Sequence, residues 1–191
     1  MYISHPNKFI FFHTPKVAGS SIHIFFKDYY GLVGEQRSDP IPSIHHMAAK
    51  DCLNINPQCK DYFKFAFVRN PFDRFVSAYS GFTQIRNMEL GHFDKFCEEF
   101  ITSKFSKDIH WIPQNKLLCD DLGNIIPDFI GRYENLDEDL KKISNIIGID
   151  MDIGHHRKTS RTSYEKMFSS KTKEIIENFF KDDLSKFDYH F

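Results

Sequence analysis

The stretch KFIFFHTPKVAGSSIHIFFKDY, residues 8–29, carries the pattern from which the rest of the chain is read. Phe9-Ile10-Phe11-Phe12 is apolar, dense in β-formers and far too short to cross a membrane, so it predicts a buried strand. The chain then turns through His13-Thr14-Pro15-Lys16-Val17-Ala18-Gly19. Ser20 and Ser21 are expected to supply N-cap chemistry. Ile22, Phe25, Phe26 and Tyr29 recur at helical spacing and predict a core-facing stripe. Strand, short turn, helix: the helix N-terminus opens where the strand ends. Its unpaired N–H groups and the positive end of its dipole make an anion site. Gly19 permits close backbone approach, Lys16 adds a mobile positive charge, and two hydroxyls add donors. An ordinary β-turn-α connection with a surface lysine would show the same pattern, so further motifs must decide.

A nucleoside-triphosphate P-loop does not fit. That motif places lysine directly after its last glycine, whereas here Lys16 precedes Gly19. The dinucleotide fingerprint Gly-x-Gly-x-x-Gly is absent too. Thr14-Pro15-Lys16-Val17-Ala18-Gly19-Ser20-Ser21 after a hydrophobic strand resembles the phosphosulfate-binding loop of sulfotransferases that use 3′-phosphoadenosine 5′-phosphosulfate (PAPS). The carbohydrate branch, of heparan 2-O-sulfating and chondroitin type, is the one it resembles, in a short, bacterial-like form. The resemblance implies that Pro15, Lys16, Val17, Ala18, Gly19, Ser20 and Ser21 hold the donor. It places Lys16 on the bridging and sulfuryl oxygens as a catalytic residue.

Composition narrows the field. The chain has 191 residues, enough for one well-buried domain, and its 21 phenylalanines predict a large aromatic core. A net charge of −1 gives no global field for nucleic acid or an anionic membrane, so any anion site must be local. The four cysteines, Cys52, Cys59, Cys97 and Cys119, form no CxxC pair and point to a reducing compartment. The first strand begins too early for a signal peptide, and no run approaches the roughly 20 apolar residues of a membrane helix. These features together predict a cytoplasmic protein without a transmembrane segment.

Beyond the first helix, residues 31–43 are irregular and rich in glycine and proline, as in a functional loop. They deliver His45 and His46 ahead of a short helical pattern, Met47 to Leu53. Adjacent side chains entering a helix diverge, so one of the two faces a site while the other packs or is solvated. A metal centre is not expected, because the other pair, His155-His156, is remote and no HExxH or CxxC spacing occurs. Phe63 to Val68 predicts a second strand, ending at Arg69-Asn70-Pro71. Asn70 suits an N-cap and Pro71 the first helical position. Phe72, Phe75, Val76 and Tyr79 give a second stripe, with Ser77 off it. Arg69 could bind phosphate bidentately or pair with Asp73. The run Arg-Asn-Pro-Phe-Asp-Arg-Phe-Val-Ser-Ala-Tyr resembles the 3′-phosphate segment of the same sulfotransferases, which implies donor-binding roles for Arg69 and Ser77.

Further along, Phe93 to Lys104 predicts an amphipathic helix. His110-Trp111-Ile112-Pro113-Gln114 and Ile130-Gly131-Arg132-Tyr133-Glu134-Asn135-Leu136 also resemble family segments, and Trp111 is read as a core residue. Ile125 to Tyr133 predicts a strand in which Gly131 marks weakness or close approach, and Asp137 to Ile147 a helix closed by Gly148. The basic, hydroxyl-rich run 155–163 predicts a loop. The resemblance implies that Lys158, Ser160 and Arg161 close over the 3′-phosphate. A final helix is expected from Lys171 to Phe187, with an aromatic terminus docked on the domain.

Alternating strands and helices predict a three-layer α/β/α domain with a mainly parallel sheet, spanning 1–191 as a single unit. Ligands on such sheets bind beyond the carboxyl ends of the strands, where both motif loops fall. The resemblance implies a P-loop-nucleotide-hydrolase-like sulfotransferase fold. The implied reaction transfers a sulfuryl group from PAPS to a hydroxyl of a carbohydrate or other acceptor, releasing adenosine 3′,5′-bisphosphate and needing no metal. It further implies a histidine base after the first helix: His46 by position, with His45 in reserve. Two other classes remain on the residues alone. One is a nucleotide kinase-like phosphotransferase, which needs a Mg²⁺-holding acid and a Walker lysine. The other is a non-catalytic nucleotide-binding module.

Overall fold

The computed structural model describes residues 1–29, 46–151, 153 and 163–191. They group into two compact units, Met1–Val68 with Lys116–Lys158, and Arg69–Asn115 with Thr159–Phe191.

The first unit is built on a four-stranded sheet in the order β1-β2-β3-β4. Its strands are β1 (Tyr2–Ser4), β2 (Phe9–Phe12), β3 (Phe63–Val68) and β4 (Phe129–Arg132). β1 runs antiparallel to β2, while β2, β3 and β4 are mutually parallel. Every residue of β2 is buried, as its unbroken apolar sequence predicts for a central strand. Phe9, Phe11, Phe65 and Phe67 pack with Ile22 and Phe26 of helix α1 (Gly19–Tyr29) and with Leu140, Ile143 and Ile147 of a later helix, Leu136–Ile147. Tyr29 departs from the expected stripe. It is 53% exposed at the last residue of α1, its ring stacked on Phe25.

A second departure is β4, which is shorter than expected. Pro127 cannot donate to a ladder, so Ile125 instead forms an isolated antiparallel bridge with Cys119. Gly131 does mark close approach: a Cβ there would lie 2.4 Å from the ring of Phe67, its partner on β3. The 49–55 segment forms α2 (Ala49–Ile55), starting two residues later than the sequence pattern suggests.

The second unit is helical. Its helices are α3 (Pro71–Ser80), continued by a π-helical turn at Gly81–Ile85, then α4 (Phe93–Phe100), α7 (Ser170–Phe179) and α8 (Lys181–Lys186). α5 (Gln114–Leu118) begins at the end of the 69–115 segment, and α6 (Leu136–Ile147) belongs to the sheet unit. Asn70 caps α3 as expected, its side-chain oxygen accepting the Phe72 N–H at 3.0 Å. Phe72, Phe75, Phe96, Phe100, Trp111 and Phe180 form an aromatic core. Ile101 lies outside it, 46% exposed, because α4 has already ended at Phe100.

The expected final helix is two helices. The break falls at Phe180, a buried residue whose ring faces the Arg74 guanidinium at 5.5 Å. The terminus docks within this unit: the Phe191 ring meets Phe72 edge-on at 4.8 Å, and Asn70 donates to the His190 carbonyl at 2.8 Å.

Candidate functional site

The carboxyl ends of β2 and β3 are sheet neighbours, with Phe12 opposite Ala66. The turn that leaves β2 contains two left-handed residues, Lys16 with φ 70° and Ala18 with φ 61°. Each costs roughly 1–2 kcal/mol for an L-residue. Such strain persists only where the surroundings impose it, and it clusters at ligand sites. Here Val17, between the two, is fully buried in the sheet core, and the Thr14 hydroxyl donates to the Phe67 carbonyl at the end of β3. Backbone that alternates in hand gathers N–H groups into anion-binding concavities.

Helix α1 follows at once: the Ala18 carbonyl accepts the N–H groups of Ser21 at 2.9 Å and Ile22 at 3.2 Å. Ser20 and Ser21 therefore line the first turn and do not cap it, because the left-handed step at Ala18 starts the helix before them. The first-turn amides of a helix have no intrahelical acceptor and sit at the positive end of its dipole.

Gly19 serves a different purpose from the one its position suggests. A Cβ at residue 19 would stand 1.9 Å from Cδ2 and 2.1 Å from Nε2 of His13. The imidazole of His13 occupies the space where any other residue's side chain would begin. That ring stacks on Phe11 at 5.8 Å and meets the His46 ring edge-on at 4.5 Å. His46 Nδ1 lies 2.9 Å from the His13 carbonyl oxygen. A carbonyl only accepts, so Nδ1 must carry the hydrogen. In the neutral imidazole, Nε2 then holds the basic lone pair.

In the helical unit, Arg69 immediately follows β3 in the chain and is 5% exposed. Its Nη2 and Nε both reach Asp73 Oδ2, at 2.6 and 2.7 Å. The ion pair weighed on sequence grounds is thus present. Ser77, half-buried, lies one helical turn beyond Asp73 and shares its face of α3. The main chain of Arg69 is held as well: its N–H donates to Gln114 Oε1 at 3.0 Å, and its carbonyl accepts from Gln114 Nε2 at 2.9 Å.

All four cysteines are buried free thiols. Burial pushes the Cys97 thiol well above its ordinary range, and the neighbouring Asp94 and Glu98 carboxylates push it further, so it is no nucleophile. Among the described residues, no three His, Cys, Asp or Glu side chains are grouped to hold a metal ion. No helix among them is long and apolar enough to cross a membrane.

The sequence model of the sulfotransferase family matches residues 1–190. The chain belongs to that family. Two relatives stand beside this match. One is an uncharacterized protein of Archaeoglobus fulgidus, 37% identical over 91 residues, which cover 46% of this sulfotransferase-family chain and 69% of the archaeal one. The other is carbohydrate sulfotransferase 9 of Homo sapiens, 23% identical across 99% of this chain and 53% of the human protein. The chain thus spans about half the length of that human relative. No solved structure matches significantly.

Of the residues singled out in this sulfotransferase-family sequence, Pro15 to Ser21 and His46 lie in the sheet unit, joined through His13. Arg69, just before α3, and Ser77, in its second half, lie in the helical unit. His45, Lys158, Ser160 and Arg161 fall outside the described residues, as do residues 31–43. Sequence reasoning missed His13 and Gln114. Gln114 stood in a segment already seen to resemble the family, but nothing in its spacing shows which backbone it grips. The signal for His13 was a bulky residue and a lone glycine at opposite ends of one short turn.

Proposed function

We propose that the protein is a PAPS-dependent sulfotransferase that sulfates a hydroxyl of a carbohydrate acceptor, with His46 as general base. The observation that carries this reading is the bond from His46 Nδ1–H to the His13 carbonyl, 2.9 Å, beside the turn that the family resemblance assigns to the donor. It leaves Nε2 of the neutral imidazole as the atom that can accept a proton. The human relative's name, carbohydrate sulfotransferase, supports the acceptor class.

The acceptor oxygen attacks sulfur while its proton passes to His46 Nε2. The bond from sulfur to the bridging phosphate oxygen breaks, and its electron pair leaves on adenosine 3′,5′-bisphosphate. Catalysis in such a transfer is chiefly positioning and neutralisation of developing negative charge. Lys16 is assigned to the bridging and sulfuryl oxygens. The α1 N-terminus with Ser20 and Ser21 is assigned to the 5′-phosphate, and Arg69 with Ser77 to the 3′-phosphate.

The test is transfer from labelled PAPS to a panel of saccharide hydroxyls. His46→Ala is expected to lower turnover by roughly 10²–10⁴, the range of general-base catalysis, while binding adenosine 3′,5′-bisphosphate within a few-fold of wild type. Normal turnover in His46→Ala would remove it from the mechanism. Preference for ATP over adenosine 3′,5′-bisphosphate in calorimetry would favour the kinase-like class instead.

A further inference from the structure

We infer that Gln114 is a positioning residue for the 3′-phosphate, acting through the main chain of Arg69; this rests on the assignment of Arg69 to that phosphate. Arg69 stands one residue past the end of β3, where ladder bonds stop, and its N–H and carbonyl are nevertheless both paired. The Gln114 side-chain amide makes the two bonds that a neighbouring strand would make. Gln114 is fully buried, so neither end of its amide has water to fall back on.

The brace behind Gln114 is rigid. The Asp183 carboxylate, fully buried on α8, accepts the Gln114 N–H through Oδ2 and the Asn115 N–H through Oδ1, both at 2.7 Å. Arg74, fully buried on α3, donates to the His110 carbonyl at 3.1 Å and the Ile112 carbonyl at 2.6 Å. Two buried charges thus clamp residues 110–115, and that segment clamps Arg69. Asp73 fixes the Arg69 side chain from the other direction. The guanidinium is oriented before any ligand arrives, which is the condition for a donor contact to contribute fully to affinity.

Gln114→Met keeps length and apolar volume but removes both bonds. Calorimetry on the full chain with adenosine 3′,5′-bisphosphate and with adenosine 5′-phosphate separates the outcomes. The expected result is about a tenfold loss for the bisphosphate and less than about twofold for the monophosphate. In an Arg69→Ala background, Gln114→Met is expected to cost the bisphosphate nothing further. Gln114→Glu, which retains an acceptor for the Arg69 N–H, serves if the methionine variant does not fold, with an intermediate, bisphosphate-specific loss expected. Equal losses for both ligands, or no loss for either, would overturn the inference. If Arg69→Ala itself leaves the preference for the bisphosphate unchanged, the assignment of Arg69 fails; if Arg69→Ala abolishes it and the Gln114 variants do not, only the role of Gln114 fails.

Discussion

Replacing Gly19 by alanine tests how the turn after β2 is joined to His46, the proposed base. The added methyl would sit 1.9 Å from His13 Cδ2 and 2.9 Å from Cγ, so rotating the tip of the ring does not clear it. The whole imidazole must retreat by roughly 1.5 Å to regain carbon–carbon contact distance. Phe11 and His46 stand against that ring at 5.8 and 4.5 Å. Overpacking of this kind costs about 1–3 kcal/mol. Against it, alanine is favoured over glycine in a helix by up to about 1 kcal/mol. Gly19→Ala should therefore destabilise the protein by on the order of 1–2 kcal/mol. In a His13→Ala background the obstacle is gone and only the helical preference remains, so the same substitution should stabilise, by up to about 1 kcal/mol. The sign change is the decisive feature. Urea unfolding of the four proteins, followed by far-ultraviolet circular dichroism, measures it as a double-mutant cycle. An equal cost for Gly19→Ala with and without the His13 ring would refute the steric argument. Turnover should fall in Gly19→Ala as well, since displacing His13 also moves the carbonyl that holds His46.

Lys16→Ala should reduce turnover by on the order of a hundredfold or more, with far less effect on binding of adenosine 3′,5′-bisphosphate, read by steady-state kinetics beside calorimetry. Arg69→Ala should weaken the bisphosphate by at least about tenfold and barely alter adenosine 5′-phosphate; equal losses would mark Arg69 as purely structural. Ala18→Gly should raise stability by about 1 kcal/mol in thermal unfolding, because glycine carries no penalty at φ 61°. Asp183→Asn should cost about 1–3 kcal/mol in urea unfolding, because an amide can accept only one of the two buried N–H groups, of Gln114 and Asn115, that the carboxylate holds.

The parts of the fold that local chemistry dictates were legible in the sequence. Four consecutive apolar residues gave β2, Asn70-Pro71 gave the start of α3, and Gly148, at φ 69°, closes α6 where expected. What escaped depends on backbone conformation and on contacts that residue spacing does not carry. No propensity distinguishes Ser20 at a cap from Ser20 in a first turn, since the left-handed conformation of Ala18 decides it. The break at Phe180, where φ is −102° and ψ 17°, leaves no mark in the helical periodicity across residues 171–187. In the site, His46 was legible as one of a pair, but its tautomer is set by the carbonyl of a residue in another turn. Gln114 and Asp183 meet only because α8 returns to the start of α5.

The aromatic core of the helical unit has a spectroscopic consequence. Trp111 is the chain's single tryptophan, and it lies fully buried among Phe82, Phe96, Phe100 and Phe105. Its indole N–H has no hydrogen-bond partner among the described residues. An indole in so apolar a setting emits far to the blue and shifts red when water reaches it. The protein therefore carries a native fluorophore that reports on the helical unit alone, while the sheet unit is silent in tryptophan emission. Comparing emission with backbone dichroism along one melting curve would show whether the half that carries Arg69 loosens together with the half that carries Lys16 or ahead of it.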